Sequence, residues 1–165
     1  MTTKLGQESV TYLNKGQTYE MTLKSFGDLP DYRFVNCQMR IGFLERRLQC
    51  RERDLFNEWS QNNPRENILE IDYQTSFGVI QLSSASNSQN LVSFKWDTRS
   101  KEASLFFKVN CIGTEFTYKR SGGEKGASFK LQVYFPFVER ILNRFCLSMK
   151  LSLIFLNLTP ETYKT

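Results

Sequence analysis

The sequence predicts an all-β domain with a minor helix, arranged as an antiparallel β-sandwich. Apolar and polar residues alternate with a period of two in five separate segments, which is the pattern of a half-buried strand. Polar stretches that favour turns separate these segments, and one other segment has helical spacing. Short strands joined by polar turns are typical of a sandwich rather than of an α/β fold.

The first two predicted strands precede residue 45. They cover 19–24 and 35–43, where every second residue is apolar. Cys37 falls on the apolar face of the second strand. Because a free cysteine behaves as a small hydrophobe, we expect Cys37, and Cys111 later in the chain, to be buried.

The predicted helix covers residues 51–61. Leu55, Phe56 and Trp59 recur at helical spacing, and Pro64 follows the predicted end. A proline shortly after an apolar helical pattern is a usual stop signal. The sequence therefore places one helix between the second and third alternating strands.

Three further alternating strands follow the helix, at 92–96, 105–111 and 129–133. Phe94 and Trp96 lie on the apolar face of the first of these, so we expect both in the core. Glycine, proline or small polar residues mark the connections. The predicted loops are 27–30, 62–64, 83–90 and 121–123.

Two acids, Glu70 and Asp72, share one face of a short strand and could form a catalytic carboxylate pair. Nothing else in the sequence indicates a sugar cleft. Two exposed acids on a strand are common, and we interpret this pair as surface residues.

The composition excludes several classes of enzyme. The 165 residues contain no histidine, which removes His-based nucleophile activation, His general bases and His-containing zinc sites. The four cysteines form no C-x-x-C pair. We therefore predict that the chain is not an enzyme and has no metal site.

The net charge of +5 favours an anionic partner such as nucleic acid, although a solvated basic surface explains the same charge. The N-terminus lacks the apolar run of a secretory signal, and scattered cysteines suit a reducing compartment. The apolar stretch 147–158 is too short and too interrupted, by Lys150 among others, to span a membrane. We expect a buried helix or strand there.

One segment, 119–126, concentrates basic residues and glycines. Lys119, Arg120 and Lys125 stand among three glycines and one acid. Lysine and arginine neutralise phosphates, and glycine allows close backbone approach to a ligand. The spacing differs from that of a phosphate-binding P-loop. A DNA contact and an exposed hairpin loop between two strands explain these residues equally well.

Several motifs in colinear order resemble the Grainyhead/LSF family of DNA-binding transcription factors. The motifs are TYLNKGQ (11–17), RRLQ (46–49), ILEID (68–72), SFGVI (76–80), VSFKWD (92–97), VNCIGTEFT (109–117) and GGEKG (122–126). The acid in the last motif, Glu124, is closer to the LSF branch than to Grainyhead itself.

The resemblance implies an immunoglobulin-like sandwich at 8–133, as a partial family DNA-binding domain. It implies a nuclear, sequence-specific regulator of RNA polymerase II transcription that binds paired CNRG half-sites in double-stranded DNA. Family members would be its partners in homo- or hetero-oligomers. The resemblance implies no cofactor and no small-molecule substrate. The DNA-binding residues that the resemblance implies are Lys119, Arg120, Gly123, Lys125 and Gly126.

The sequence departs from the family pattern at residue 134. The family continues with a Lys-Gly-Ala-x-Arg-Lys segment that supplies an arginine to the major groove, whereas 134–165 is a divergent hydrophobic tail. That tail is either genuine divergence or a product of splicing or gene prediction. The sandwich would be incomplete if nothing in the tail replaces the family strands. The alternative function is a truncated isoform that does not recognise a base sequence and acts through protein contacts with full-length family members.

Overall fold

The computed structural model describes residues 10–24, 33–82, 88–100, 102–117, 126–134 and 154–159. Within these ranges the chain forms nine strands and three short helical segments. The strands are β1 (Val10–Asn14), β2 (Thr18–Lys24), β3 (Phe34–Phe43), β4 (Leu69–Ile71), β5 (Val79–Gln81), β6 (Leu91–Asp97), β7 (Glu102–Val109), β8 (Phe129–Tyr134) and β9 (Ile154–Thr159). The helices are α1 (Arg46–Gln49), α2 (Glu52–Asn62) and a 3-10 helix (Gly113–Phe116).

The strands form two sheets. One has six strands in the order β1-β9-β8-β3-β6-β5, and the other has three in the order β2-β7-β4. Every neighbouring pair is antiparallel except β1 and β9, which run parallel, with Val10 opposite Phe155 and Asn14 opposite Thr159. The predicted all-β sandwich with a minor helix is confirmed, and the parallel pair is its one departure from a purely antiparallel arrangement.

Buried residues from both sheets form one hydrophobic core. The alternating segments supply it, as the sequence predicts, and Cys37, Phe94, Trp96 and Cys111 are each at most 1% exposed. Burial raises the pKa of the Cys37 thiol to about 12 and that of the Cys111 thiol further still. Both side chains therefore behave as small hydrophobes in the core.

The chain changes sheet between β1 and β2, at a turn around Gly16. Gly16 has a φ of +73°, a left-handed conformation that glycine adopts at little cost. Its N–H donates to the carbonyl of Val109 at 2.8 Å, and the N–H of Asn14 donates to the Tyr19 hydroxyl at 2.8 Å. These bonds fix the turn against the end of β7.

The helix α2 closes one end of the sandwich. Its bounds, Glu52–Asn62, lie within one residue of the predicted 51–61, and its buried face carries Phe56 and Trp59. The buried Glu52 carboxylate pairs with Arg40 and accepts a hydrogen bond from the N–H of Phe43 at 3.1 Å. The start of α2 is thereby tied to β3.

No helix in the described ranges is long and apolar enough to cross a membrane. The apolar stretch 147–158 contributes a strand, β9, from Ile154 onward. The earlier part of that stretch and the predicted loops at 27–30 and 121–123 lie outside the described residues.

Candidate nucleic-acid interface

The structure describes the chain on either side of the basic segment. Of the predicted DNA-binding residues, Lys119, Arg120, Gly123 and Lys125 lie outside the described residues, and Gly126 lies inside them. The chain is described up to Thr117 and again from Gly126. The geometry of these two ends fixes where the segment is attached.

At this attachment two stretches of backbone touch. The N–H of Ala127 donates to the carbonyl of Gly113 at 3.0 Å. A Cβ on Gly113 would lie 2.3 Å from the Ala127 oxygen, and a Cβ on Gly126 would lie 3.1 Å from the nitrogen of Thr114. Glycine at both positions is what permits the close approach, a role that the sequence did not reveal for Gly126.

Glu115 connects three parts of the chain at the same place. One carboxylate oxygen lies 3.3 Å from the Lys15 ammonium in the β1–β2 turn. The other accepts hydrogen bonds from the Trp59 indole N–H at 3.1 Å and from the Ile112 N–H at 2.8 Å. The carboxylate thus holds the 3-10 helix to α2 and to the turn around Gly16.

Phe116 anchors the 3-10 helix in the core. Its ring packs edge-on against Phe43, Phe56 and Phe129, with ring centroids 5.2, 5.6 and 5.8 Å apart. Edge-to-face packing of this kind is favourable beyond the area it buries. The Gly113–Phe116 helix, with Gly126 and Ala127 against it, therefore forms a rigid base for the basic segment. We call these residues the platform.

The hairpin interpretation of segment 119–126 is wrong. In the described chain, β7 pairs with β2 and β4, whereas β8 pairs with β3 and β9. The connection therefore crosses from one sheet to the other at the platform. The alternating sequence pattern predicts that each segment is a strand, but it does not predict which sheet that strand joins.

Exposed arginines lie at the same end of the sandwich as the platform. The N–H of Leu44 donates to the carbonyl of Ser128 at 2.9 Å, which places the start of α1 beside the chain that leaves Gly126. Arg46 and Arg47 in α1 are both exposed, and Arg47 pairs with Glu45 at 2.9 Å. Arg46 therefore adds positive charge at this end independently of segment 119–126.

The paired acids have separate partners, as expected for surface residues. Glu70 lies 2.8 Å from the ammonium of Lys108, and Asp72 accepts a hydrogen bond from the Gln74 N–H at 3.0 Å. Partial burial works to raise the pKa of Glu70, but the bonds from Lys108 and the Asn67 N–H outweigh it and hold the pKa below its usual value. In the described part of the chain, no cluster of three or more Cys, Asp or Glu could hold a metal.

Comparisons with known proteins point to one family. A family model described as the CP2 transcription factor matches residues 1–145. Alpha-globin transcription factor CP2 of Mus musculus is 42% identical over an alignment of 135 residues. The alignment covers 79% of this chain and 27% of that protein. Transcription factor CP2 of Gallus gallus is 41% identical over the same shares. Transcription factor CP2-like protein 1 of Mus musculus is 41% identical, over 79% of this chain and 28% of that protein. The chain spans about a quarter of the length of these relatives.

Proposed function

The chain belongs to the CP2 transcription factor family, and from this premise we propose that it is a sequence-specific duplex-DNA-binding domain. Its setting would be a nuclear factor that regulates RNA polymerase II transcription. The observation that carries the proposal is the family match over residues 1–145, because it includes the basic segment and every strand of the sandwich except β9. Other family members are the proposed partners in homo- or hetero-oligomers.

The proposed DNA-binding residues are those of the basic segment. Lys119, Arg120 and Lys125 would neutralise backbone phosphates, and the glycines at 123 and 126 would let the main chain approach the duplex closely. The platform supports this proposal, because it attaches the segment to a buried aromatic cluster rather than to a loosely held turn. A contacting loop on a rigid base loses less conformational entropy when it binds.

Fluorescence anisotropy with two duplexes tests the proposal. One duplex carries paired CNRG half-sites and the other a scrambled sequence, and each is titrated at two salt concentrations. We expect the wild-type chain to prefer the half-site duplex. Lys125→Ala should weaken binding by about threefold to tenfold, as expected for loss of one charge-assisted contact.

Lys95→Ala is the matched control, because it removes the same charge from β6. Lys95 is opposite Asn36 in β3, near the end of β3 that lies away from Phe43 and the platform. We expect this variant to bind like the wild type. Equal affinities of Lys125→Ala and wild type would remove Lys125 from the site, and a wild-type chain that prefers neither duplex would overturn sequence-specific reading.

The alternative function is a truncated isoform that does not recognise a base sequence and acts through contacts with full-length family members. Two observations favour it: the family's arginine-bearing segment is absent after residue 134, and β9 from the tail fills a place in the six-stranded sheet. Equal and steeply salt-dependent binding to both duplexes, or no binding, is the expected result for such an isoform. Co-purification with a full-length relative would then test its protein contacts.

A further inference from the structure

A cleft of about 450 Å³ lies beside α2, near the end of the sandwich that carries the platform. Its walls are formed by one flank of α2, by β3 and by the turn at 88–90. Two arginines and three carboxamide side chains contribute to its lining: Arg40, Arg53, Asn57, Gln89 and Asn90.

The carboxylate in the cleft, that of Glu52, already has bonding partners. Glu52 is buried and bonds both Arg40 and the N–H of Phe43. Arg53 is exposed, and within the described ranges no carboxylate forms an ion pair with it. Its guanidinium therefore carries a positive charge at the cleft that another group can neutralise.

The walls of the cleft are held in place. Asn57 is four residues after Arg53, so both side chains lie on one flank of α2. Across the cleft, the Asn90 amide donates to the carbonyl of Ile41 at 3.0 Å, and its oxygen accepts a hydrogen bond from Ser88 at 3.1 Å. These bonds fix the turn that carries Gln89 against β3.

Donors of this kind fit a phosphate. Guanidinium and carboxamide N–H groups are among the side-chain donors that contact phosphate oxygens, and the charge on Arg53 strengthens the contact. Because Glu52 neutralises Arg40, the charge of Arg53 is left over, and it favours an anion over a cation. The chemistry therefore favours a phosphodiester.

We propose that this cleft binds a backbone phosphate of the same duplex that the basic segment contacts, an inference that rests on the proposed function. The helix α2 separates the two places: Leu55 and Trp59 face the 3-10 helix on one flank, and Arg53 and Asn57 face the cleft on the other. The cleft and the platform therefore lie on opposite flanks of one helix. An α-helix is about 10–12 Å wide, so a duplex that contacts one flank is within reach of the other.

Arg53→Ala and Asn57→Ala test the cleft by anisotropy on the half-site and scrambled duplexes. Arg65→Ala, an exposed arginine just after α2, is the matched control for loss of one charge. We expect Arg53→Ala to weaken binding to both duplexes by the same factor, about threefold to tenfold. The slope of log K against log salt should fall by about 0.9, the value for one lost phosphate contact. Asn57→Ala should weaken binding to both duplexes without this change in slope.

Four results would overturn the inference. Equal affinities of Arg53→Ala and Arg65→Ala would show that the cleft makes no specific contact, and Lys125→Ala would still report separately on the basic segment. A loss confined to the half-site duplex would indicate base reading instead of phosphate contact. In a third case, millimolar inorganic phosphate at constant ionic strength raises the melting temperature of wild type but not that of Arg53→Ala, and the substitution leaves the duplex affinity unchanged. The cleft then binds a small anion instead. A wild type that binds no duplex would overturn the proposed function together with this inference.

Discussion

Gly113 is the residue at which the platform depends most directly on side-chain size. A methyl group there would lie 2.3 Å from a backbone oxygen, that of Ala127, which cannot move aside as a side chain could. We expect Gly113→Ala to lower the free energy of unfolding by about 1–3 kcal/mol, the usual cost of overpacking. Urea denaturation measures this difference.

Gly16→Asn provides the control for Gly113→Ala. In the described part of the chain, no other atom lies within 4 Å of the position that a Cβ on Gly16 would take. Asparagine tolerates the left-handed conformation better than most other residues. The change should cost less than about 1 kcal/mol. If both variants lose the same stability, crowding against Ala127 is not the cause.

At the level of single residues, the sequence predicts which side chains form the core, but it does not predict the contacts of Glu115. Burial of Phe94 and Trp96 follows from alternation along one strand. The partners of Glu115, in contrast, are Trp59 and Lys15, which are 56 and 100 residues away in the chain. Only the tertiary fold brings them together, so no local sequence pattern predicts these contacts of Glu115.

At the scale of elements, the ion pair between β4 and β7 gives the fold a dependence on acid pH. Glu70 is directly opposite Lys108, and its pKa in the folded chain is below the reference value of 4.5. A lowered pKa stabilises the fold above the unfolded pKa, and this contribution is lost as the pH falls through the folded value. Because both side chains are partly exposed, we expect it to stay below about 1 kcal/mol.

Glu70→Gln should therefore be less stable than wild type at pH 7, and the difference should vanish as the pH falls below about 4.5. Urea denaturation at pH 7, 4.5 and 3 measures it. Glu58→Gln, which changes an exposed carboxylate on α2, should show no such convergence. A difference between Glu70→Gln and wild type that is constant across these pH values would contradict the assignment.

Elements are predicted well from the sequence where the signal is local. The helix α2 follows from apolar spacing and Pro64, and the long strands follow from alternation. The membership of β7 and β8 in different sheets comes from long-range pairing, of β7 with β2 and β4 and of β8 with β3 and β9, which no local pattern encodes. For the same reason the basic segment is identifiable from its residues, and the platform beneath it is not.

At the scale of the whole molecule, the six-stranded sheet depends on β9. In the described chain β9 lies between β1 and β8 and is the one strand that pairs with β1. A proline in a strand with partners on both sides removes a ladder hydrogen bond. Leu156→Pro, opposite Thr11 and Phe129, should therefore raise amide exchange in β1 by about tenfold or more, the factor for roughly 1.4 kcal/mol.

Hydrogen exchange read by mass spectrometry locates this effect. Exchange in β2 and β7 should change less than in β1, because those strands belong to the other sheet. Thr162→Pro, beyond the end of β9, is the matched proline control and should leave β1 as in wild type. Unchanged exchange at 10–14 in Leu156→Pro would contradict the pairing.

The family resemblance drawn from the colinear motifs is confirmed at the level of the CP2 family. The family match also runs beyond Val133, where the sequence departs from the pattern expected of it. The boundary between a domain at 8–133 and a tail at 134–165 remains a prediction. Since β9 comes from that tail, its contribution to the sandwich could not be anticipated from the family motifs.

The parallel pairing of β1 with β9 has a consequence for the order of events during synthesis. Val10 is synthesised long before its partner Phe155, because the two are far apart in the chain. The six-stranded sheet can therefore close only after Phe155 has been made, and closing so long a loop slows folding. Until then the nascent chain has β1 without a partner strand, which is the period when a chaperone or a second nascent chain can capture it.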